Sequence, residues 1–161
     1  FVAKYLRDHG LLVTTLDIDE RLGPDVVGSV TKLPFEDRHF ELVMACEILE
    51  HIPYEKAKEG LREIRRVSSR WAIISLPDAT RTARIEFPIP KLGKVRKLFI
   101  IPKLFPTEHK ITEHGHYWEI GKKGFLLDKV SADIEEAGFI IKKTYRVFEN
   151  PYHRFFVLEK K

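Results

Sequence analysis

The sequence predicts an α/β fold, a three-layer sandwich with a mostly parallel sheet that ends in a C-terminal antiparallel hairpin. Three observations carry that expectation. Apolar, β-branched runs alternate with segments of helical period through the first half of the chain, which is the spacing of parallel β-α-β units. The first of these runs ends in acidic residues, as a buried strand does on leaving the core at its carboxyl edge. The last two runs flank a short turn at Asn150-Pro151 that leaves no room for a crossover, so they must pair antiparallel. With 161 residues, 43% hydrophobic and 32% charged, the chain has the size and balance of one globular domain with a sizeable core.

The elements follow in order. Phe1, Val2, Tyr5 and Leu6 share one face of a helix that Gly10 stops. Leu11 to Ile18 reads as a buried strand, followed by a loop with Gly23 and Pro24 and a short strand at Val26 to Gly28. Phe40 to Cys46 is a second buried strand. After Pro53, Ala57, Leu61, Ile64 and Val67 recur at helical spacing within Glu55 to Val67, and Arg70 to Leu76 returns to strand until Pro77. Five of the nine prolines fall from Pro77 to Pro106, so the segment from about 79 to 124 reads as an irregular insertion or lid without long regular elements. A helix at Phe125 to Ala137, ended by Gly138, and strands at Phe139 to Val147 and His153 to Glu159 complete the chain.

Charge and cysteine usage narrow the function classes. The net charge is +4, but the insertion carries ten Lys and Arg against four Glu. The remainder is slightly acidic, which fits a local surface for an anionic partner and not a wholesale nucleic-acid binder. Cys46 is the one cysteine, so no disulfide forms within the chain, and a reducing compartment, the cytoplasm, is the expectation. No apolar run is long enough for a transmembrane helix, and the oligomeric state is not set by the sequence.

Ligands of open parallel sheets bind at the carboxyl ends of strands, which singles out Asp17. A carboxylate there accepts hydrogen bonds from both ribose hydroxyls of a nucleoside. The run from Gly28 to Ile52, GSVTKLPFEDRHFELVMACEILEHI, adds a turn glycine, an LPF, an acid-rich turn and a strand that leads into LEH. In this combination the sequence resembles the class I S-adenosylmethionine-dependent methyltransferases, specifically the type 11, small-molecule branch, from Phe1 to Lys161. The resemblance implies a Rossmann-like fold, S-adenosylmethionine as cofactor, and methyl transfer to a small or lipid-like molecule. By similarity Asp17 would hold the ribose, Ile18 would lie against the adenine, and Ser29 and Val30 would reach the adenine edge. Ala45 and Cys46 would border the methionine moiety. Many relatives have Asp where Ser29 stands. The family's first strand and Gly-rich loop do not occur in the sequence, which is expected to be an N-terminally truncated piece of a longer protein, with 1–161 a single methyltransferase domain lacking that strand and loop.

Glu47 and His51 are the expected catalytic residues, with His51 placed to remove a proton from the acceptor. The spacing of Glu47, Glu50 and His51 also resembles a metal-binding feature of quinone-ring O-methyltransferases, but no metal is the expectation. His109, His114 and His116 with Glu108, Glu113 and Glu119 form a second set of potential ligands, read as a substrate-facing loop on which Tyr117 and Trp118 border the substrate. Lys91, Lys94, Arg96, Lys97 and Lys103 alternate with Leu98, Phe99, Ile100, Ile101, Leu104 and Phe105, read as an amphipathic lid helix, with a peripheral membrane or lipid contact as the other reading. Cys46 is expected to be buried. Two competitors stay open. One is a non-catalytic domain that binds an anionic partner through the basic insertion. The other is a nicotinamide-dependent enzyme, against which the terminal hairpin speaks.

Overall fold

The computed structural model describes residues 1–89, 93–101, 105–111 and 115–161. Its elements are α1 (Val2–Asp8), β1 (Leu16–Asp17), β2 (Val26–Val27), β3 (Phe40–Cys46), α2 (Tyr54–Val67), β4 (Ser68–Pro77), β5 (Thr82–Ile89), β6 (Gly93–Ile100), α3 (Leu127–Glu136), β7 (Phe139–Arg146) and β8 (His153–Lys160). Strands β3, β4, β8 and β7 form the main sheet in that order, while β1–β2 and β5–β6 are separate two-stranded ladders.

The core grows from the helical period of α2. Ala57, Leu61 and Ile64 turn one stripe onto the sheet, where they meet Ala72, Ile74 and Leu76 of β4 and Phe156 and Leu158 of β8. Val130 and Ile134 of α3 join the same cluster. The two helices are tied side by side by the Tyr54 hydroxyl, which donates to Asp133 Oδ2 at 2.6 Å.

The sheet is mixed, which corrects the expectation of a mostly parallel one. β3 pairs parallel with β4, but β8 runs antiparallel to both β4 and β7. The reversal at Asn150-Pro151 forces this direction, and the side chains decide which strand lies inside. Phe156 and Leu158 are fully buried, so β8 takes the interior position. β7 carries Lys142 and Lys143 and takes the edge, where lysines discourage further pairing.

The expected third layer does not form among the described residues. α1 buries none of its residues, and Phe1, Val2 and Tyr5 are exposed. Leu42 and Met44, on the sheet face away from α2, are each more than two-fifths exposed. The expected strand Leu11 to Ile18 is reduced to Leu16–Asp17, paired parallel with Val26–Val27 and with nothing in the main sheet. A helix can complete a layer only where a sheet face lies beneath it, and a ladder this small offers little.

The insertion also departs from the sequence reading. In place of a lid helix it holds the antiparallel hairpin β5–β6, in full register from Thr82↔Ile100 to Ile89↔Gly93. A two-stranded ribbon has two free edges, so a proline such as Pro88 costs no ladder bond when its nitrogen faces outward. Ile85 and Phe87 of β5 and Phe99 of β6 lie on one face of the hairpin, exposed, while Arg84, Glu86, Lys94 and Arg96 lie on the other. Of the basic and apolar residues expected there, Lys91, Lys103 and Leu104 lie outside the described residues.

The insertion returns to the main sheet through Ile120, whose amide donates to the Pro77 carbonyl at 2.9 Å while its carbonyl accepts from Ala79 at 2.8 Å. Gly121 follows at φ +86, and a Cβ there would stand 2.6 Å from Thr80 Oγ1. Only glycine permits both that backbone conformation and that approach.

Candidate active site at the carboxyl edge

β3 and β4 end at the same edge, and antiparallel β8 begins there, with Pro77 opposite His153. The chain therefore delivers Cys46 to His51, Asp78, Tyr152 and His153 to one edge, and Ile120 pins Tyr117 to Glu119 beside them.

Glu47 leaves β3 at φ 55, an uncommon conformation for a residue other than glycine and one that concentrates at functional sites. Two bonds to β4 hold it: its amide donates to the Ser75 carbonyl at 3.2 Å, and Ser75 Oγ donates to Glu47 Oε1 at 2.6 Å. Its second oxygen lies 3.4 Å from His153 Nε2.

The chain then turns through Leu49–His51, a single 3-10 turn. Leu49 is buried, so the turn sends Glu50 inward and leaves His51 43% exposed by side-chain area. Glu50 is fully buried, and neither carboxylate oxygen has a hydrogen-bond partner among the described residues. Burial, reinforced by the carboxylates of Glu47 and Glu119, pushes its pKa up to about 8. His51 Nε2 stands 4.0 Å from Glu50 Oε1.

The returning insertion supplies the opposite wall. The Tyr117 amide donates to the Glu50 carbonyl at 2.8 Å, and Trp118 Nε1 donates to the Leu49 carbonyl at 3.1 Å. Between these two anchors the buried His116 ring packs edge-on against His51, with centroids 4.9 Å apart. Behind His116, Glu119 Oε1 lies 3.1 Å from Nδ1 and accepts from the Tyr152 hydroxyl at 2.7 Å. Burial alone would raise Glu119, but the bonds from Tyr152 and His116 hold it below the usual carboxylate range. Glu50, His51 and His116 each offer one ligand-type atom, and these atoms lie within 4.8 Å of one another.

The sequence-predicted residues divide accordingly. Glu47 and His51 come together at this edge. Ala45 is buried beneath it, whereas Cys46 is exposed, a correction to the expected burial, because the alternation of β3 turns its side chain away from α2. The Cys46 thiol is nevertheless raised, by partial desolvation first and by the nearby Glu47 and Glu50 charges. Tyr117 is 44% exposed, but Trp118 is a core residue packed on Tyr54 and Phe125 and does not border open space.

Asp17 and Ile18 lie on the β1–β2 ladder. Asp17 Oδ1 accepts from the Asp19 amide at 2.9 Å, and no partner reaches Oδ2 among the described residues. Ile18 beside it is 76% exposed. Ser29 Oγ is bonded to Thr31 Oγ1 at 2.9 Å and shapes the turn. Val30 packs toward α2, where a Cβ on Gly60 would meet its methyl groups at 3.5 Å.

The second histidine set comes together only in part. His109 Nε2 reaches the His116 carbonyl at 2.9 Å, Glu108 pairs with Lys123 at the surface, and Glu113 and His114 lie outside the described residues. Sequence reasoning missed the meeting of Glu50 with His116 and gave Tyr152 no role. The LEH segment drew attention to Glu50, but nothing local marks its distant partners.

Comparisons with known proteins agree with this architecture. Residues 1–74 match the family model Methyltransf_11, a methyltransferase domain. No curated protein matches the sequence. Among solved structures, the PH0226 protein from Pyrococcus horikoshii OT3 is 17% identical with a TM-score of 0.63 over 99% of this chain and 78% of its own. Magnesium protoporphyrin IX methyltransferase from Synechocystis PCC 6803, crystallised with bound SAH, is 17% identical with a TM-score of 0.64 over 99% of this chain and 69% of its own. The 1,6-didemethyltoxoflavin-N1-methyltransferase of Burkholderia thailandensis is 14% identical with a TM-score of 0.59 over 98% of this chain and 65% of its own. At these identities the likeness is one of fold, and it runs past the end of the family match. The first 74 residues thus match a methyltransferase domain, and the whole chain shares the Rossmann-like fold of solved methyltransferases.

Proposed function

We propose that the chain transfers the methyl group of S-adenosylmethionine to an oxygen or nitrogen atom of a small or lipid-like molecule. The observation that carries the cofactor side of this reading is Asp17. Its Oδ2 is left unbonded among the described residues, at a strand end beside an exposed Ile18, which fits a ribose diol next to an apolar platform for adenine. Val30 and, through its hydroxyl, Ser29 would complete the adenine side, with Ala45 and Cys46 near the methionine moiety.

The bound cofactor supplies an electrophilic methyl group on a sulfonium, so the protein's work is orientation, exclusion of water and removal of the acceptor's proton. Glu47, anchored by Ser75, sets the course of the loop that carries His51. His51, exposed at the edge, is the group to take that proton. Tyr117, tied by its amide to the Glu50 carbonyl and exposed at its ring, would contact the acceptor.

A small-molecule acceptor is in keeping with the porphyrin and toxoflavin methyltransferases among the structural neighbours. The exposed Ile85, Phe87 and Phe99 of the hairpin favour an apolar one. The alternative of an anionic partner on the basic insertion is weakened by internal pairing. Lys94 and Arg96 both bind Glu86, and Arg96 also binds Glu149. A cytoplasmic site of action fits a chain with one unpaired thiol. No helix among the described residues is long and apolar enough to cross a membrane.

The test is calorimetric titration with S-adenosylmethionine. In the complete protein wild type should bind, and Asp17→Ala should weaken binding by about 1–3 kcal/mol, the scale for losing a charged hydrogen-bond partner. An unchanged dissociation constant with the fold intact removes Asp17 from the site.

A further inference from the structure

We propose that Glu50, His51 and His116 form a site for one divalent transition-metal cation of the zinc class. Glu50 is the starting point. A fully buried carboxylate with both oxygens unpartnered among the described residues is costly, and such groups persist where something outside the chain satisfies them. What faces it is two imidazoles, one from its own turn and one brought by the insertion. The three ligand atoms lie within 4.8 Å of one another.

Two ligands on one Zn²⁺ at about 2.0–2.1 Å each stand at most about 4.2 Å apart, so the cluster needs a small contraction. The exposed His51 side chain is free to make it, starting with Nε2 at 4.0 Å from Glu50 Oε1.

The surroundings have the form of a built site. Glu119 holds the Nδ1 edge of His116 at 3.1 Å and is itself held by Tyr152 at 2.7 Å, the carboxylate-behind-imidazole arrangement that orients a metal-bound histidine and raises its basicity. The backbone on both sides is fixed, by the Tyr117 amide on Glu50 and the Trp118 indole on Leu49. Two imidazoles and one carboxylate suit a borderline cation such as Zn²⁺, whereas Mg²⁺ and Ca²⁺ prefer all-oxygen cages. Glu47 is already engaged by Ser75 and His153 and is not a ligand.

Three protein ligands leave a coordination position open, and it opens on the exposed His51 side. An acceptor hydroxyl bound there would lose its proton to solvent more readily, because the cation stabilises the oxyanion. With the cation in place His51 is a ligand, and the cation takes over the task of ionising the acceptor. The acceptor chemistry rests on the methyl-transfer reading; the cation site does not.

The experiment is calorimetric titration of chelator-treated protein with Zn²⁺, then with S-adenosylmethionine. One equivalent of Zn²⁺ should bind to wild type. Glu50→Gln and His51→Ala should each weaken Zn²⁺ binding by about 100-fold or more. Glu119→Gln should weaken it by about 10-fold with the stoichiometry kept, the effect expected of a group behind a ligand. His51 is exposed, so its replacement should leave the fold intact and its result stands even where a buried variant fails to fold. Absence of Zn²⁺ uptake by wild type, or equal affinity in wild type and His51→Ala, overturns the cation site. If S-adenosylmethionine still binds in that case, the methyl-transfer reading survives with His51 as base. If Zn²⁺ binds and S-adenosylmethionine does not, the methyl-transfer reading fails and the cation site stands.

Discussion

Two buried ionic clusters lie at the same edge of the sheet, and they are built in opposite ways. In the first, Asp78 is 1% exposed and its Oδ2 accepts from Arg154 Nε at 2.7 Å, with Arg146 Nη1 at 3.4 Å. Further bonds close this cluster on itself among the described residues: Arg146 donates to the carbonyls of Thr80, Asp78 and Pro151, Arg154 to the Thr144 hydroxyl, and the Thr80 amide to Asp78 Oδ1. Burial pulls Arg146 below its usual pKa, and Asp78 opposes the shift. In the second cluster Glu50 is as deeply buried but meets no donor among the described residues. Depth alone therefore does not distinguish a structural charge from a functional one. Completeness of the internal bonding does, because a closed network has nothing to offer a ligand and an open one does.

The comparison breaks most sharply at Asp78. Asp78→Ala leaves two arginines buried without their anion and should destabilise the fold by about 3–5 kcal/mol in chemical denaturation. A loss below about 1 kcal/mol would mean that the carbonyls alone hold the arginines.

Glu50→Gln should act with the opposite sign. It removes a buried charge and no hydrogen bond made among the described residues, so the metal-free variant should be more stable than wild type at pH 8, by about 1–3 kcal/mol. The pH dependence follows from the raised pKa. The folded state holds its proton up to about 8, whereas the unfolded carboxyl releases it near 4.5. The contribution is thus fully present below pH 4.5 and is lost as pH rises toward about 8. Melting curves of the variant should lack that decline, and a decline of equal size in both proteins would assign it to other groups.

A smaller effect is expected at the wall between the clusters. Trp118→Phe keeps most of the packing and loses the bond to the Leu49 carbonyl, so about 1 kcal/mol of stability should go. If the Leu49 turn is held by that bond, the variant should also weaken Zn²⁺ binding at Glu50. Unaltered binding would show that the Tyr117 amide holds the turn alone.

The smallest effect is expected on the hairpin. Glu86→Gln breaks the exposed pairs with Lys94 and Arg96 and should leave the melting temperature within error, because such pairs are screened by water and salt. A clear drop would show that the β5–β6 ribbon depends on them.

What the sequence determined by itself is local. The period of Ala57, Leu61, Ile64 and Val67 marked α2 to within a residue, and the apolar run Phe40 to Cys46 marked β3 to its ends. The Asn150-Pro151 turn foretold the antiparallel pairing of β7 with β8. The residues of the LEH segment drew attention to the edge at which Glu47 and His51 now stand. Each of these signals lies within a few residues of what it predicts. The hairpin β5–β6 was hidden because prolines read as breakers wherever the second strand of a ribbon cannot be foreseen. The exposure of Cys46 and the burial of Trp118 depend on which face of the sheet the helices cover, and that is a property of the assembled layers. The nearness of Glu50 to His116 arises because Ile120 locks onto Pro77 and draws the far end of the insertion back to the turn after β3. A carboxylate's burial and its lack of a donor are set by neighbours distant in the chain, so they come into being only with the tertiary structure.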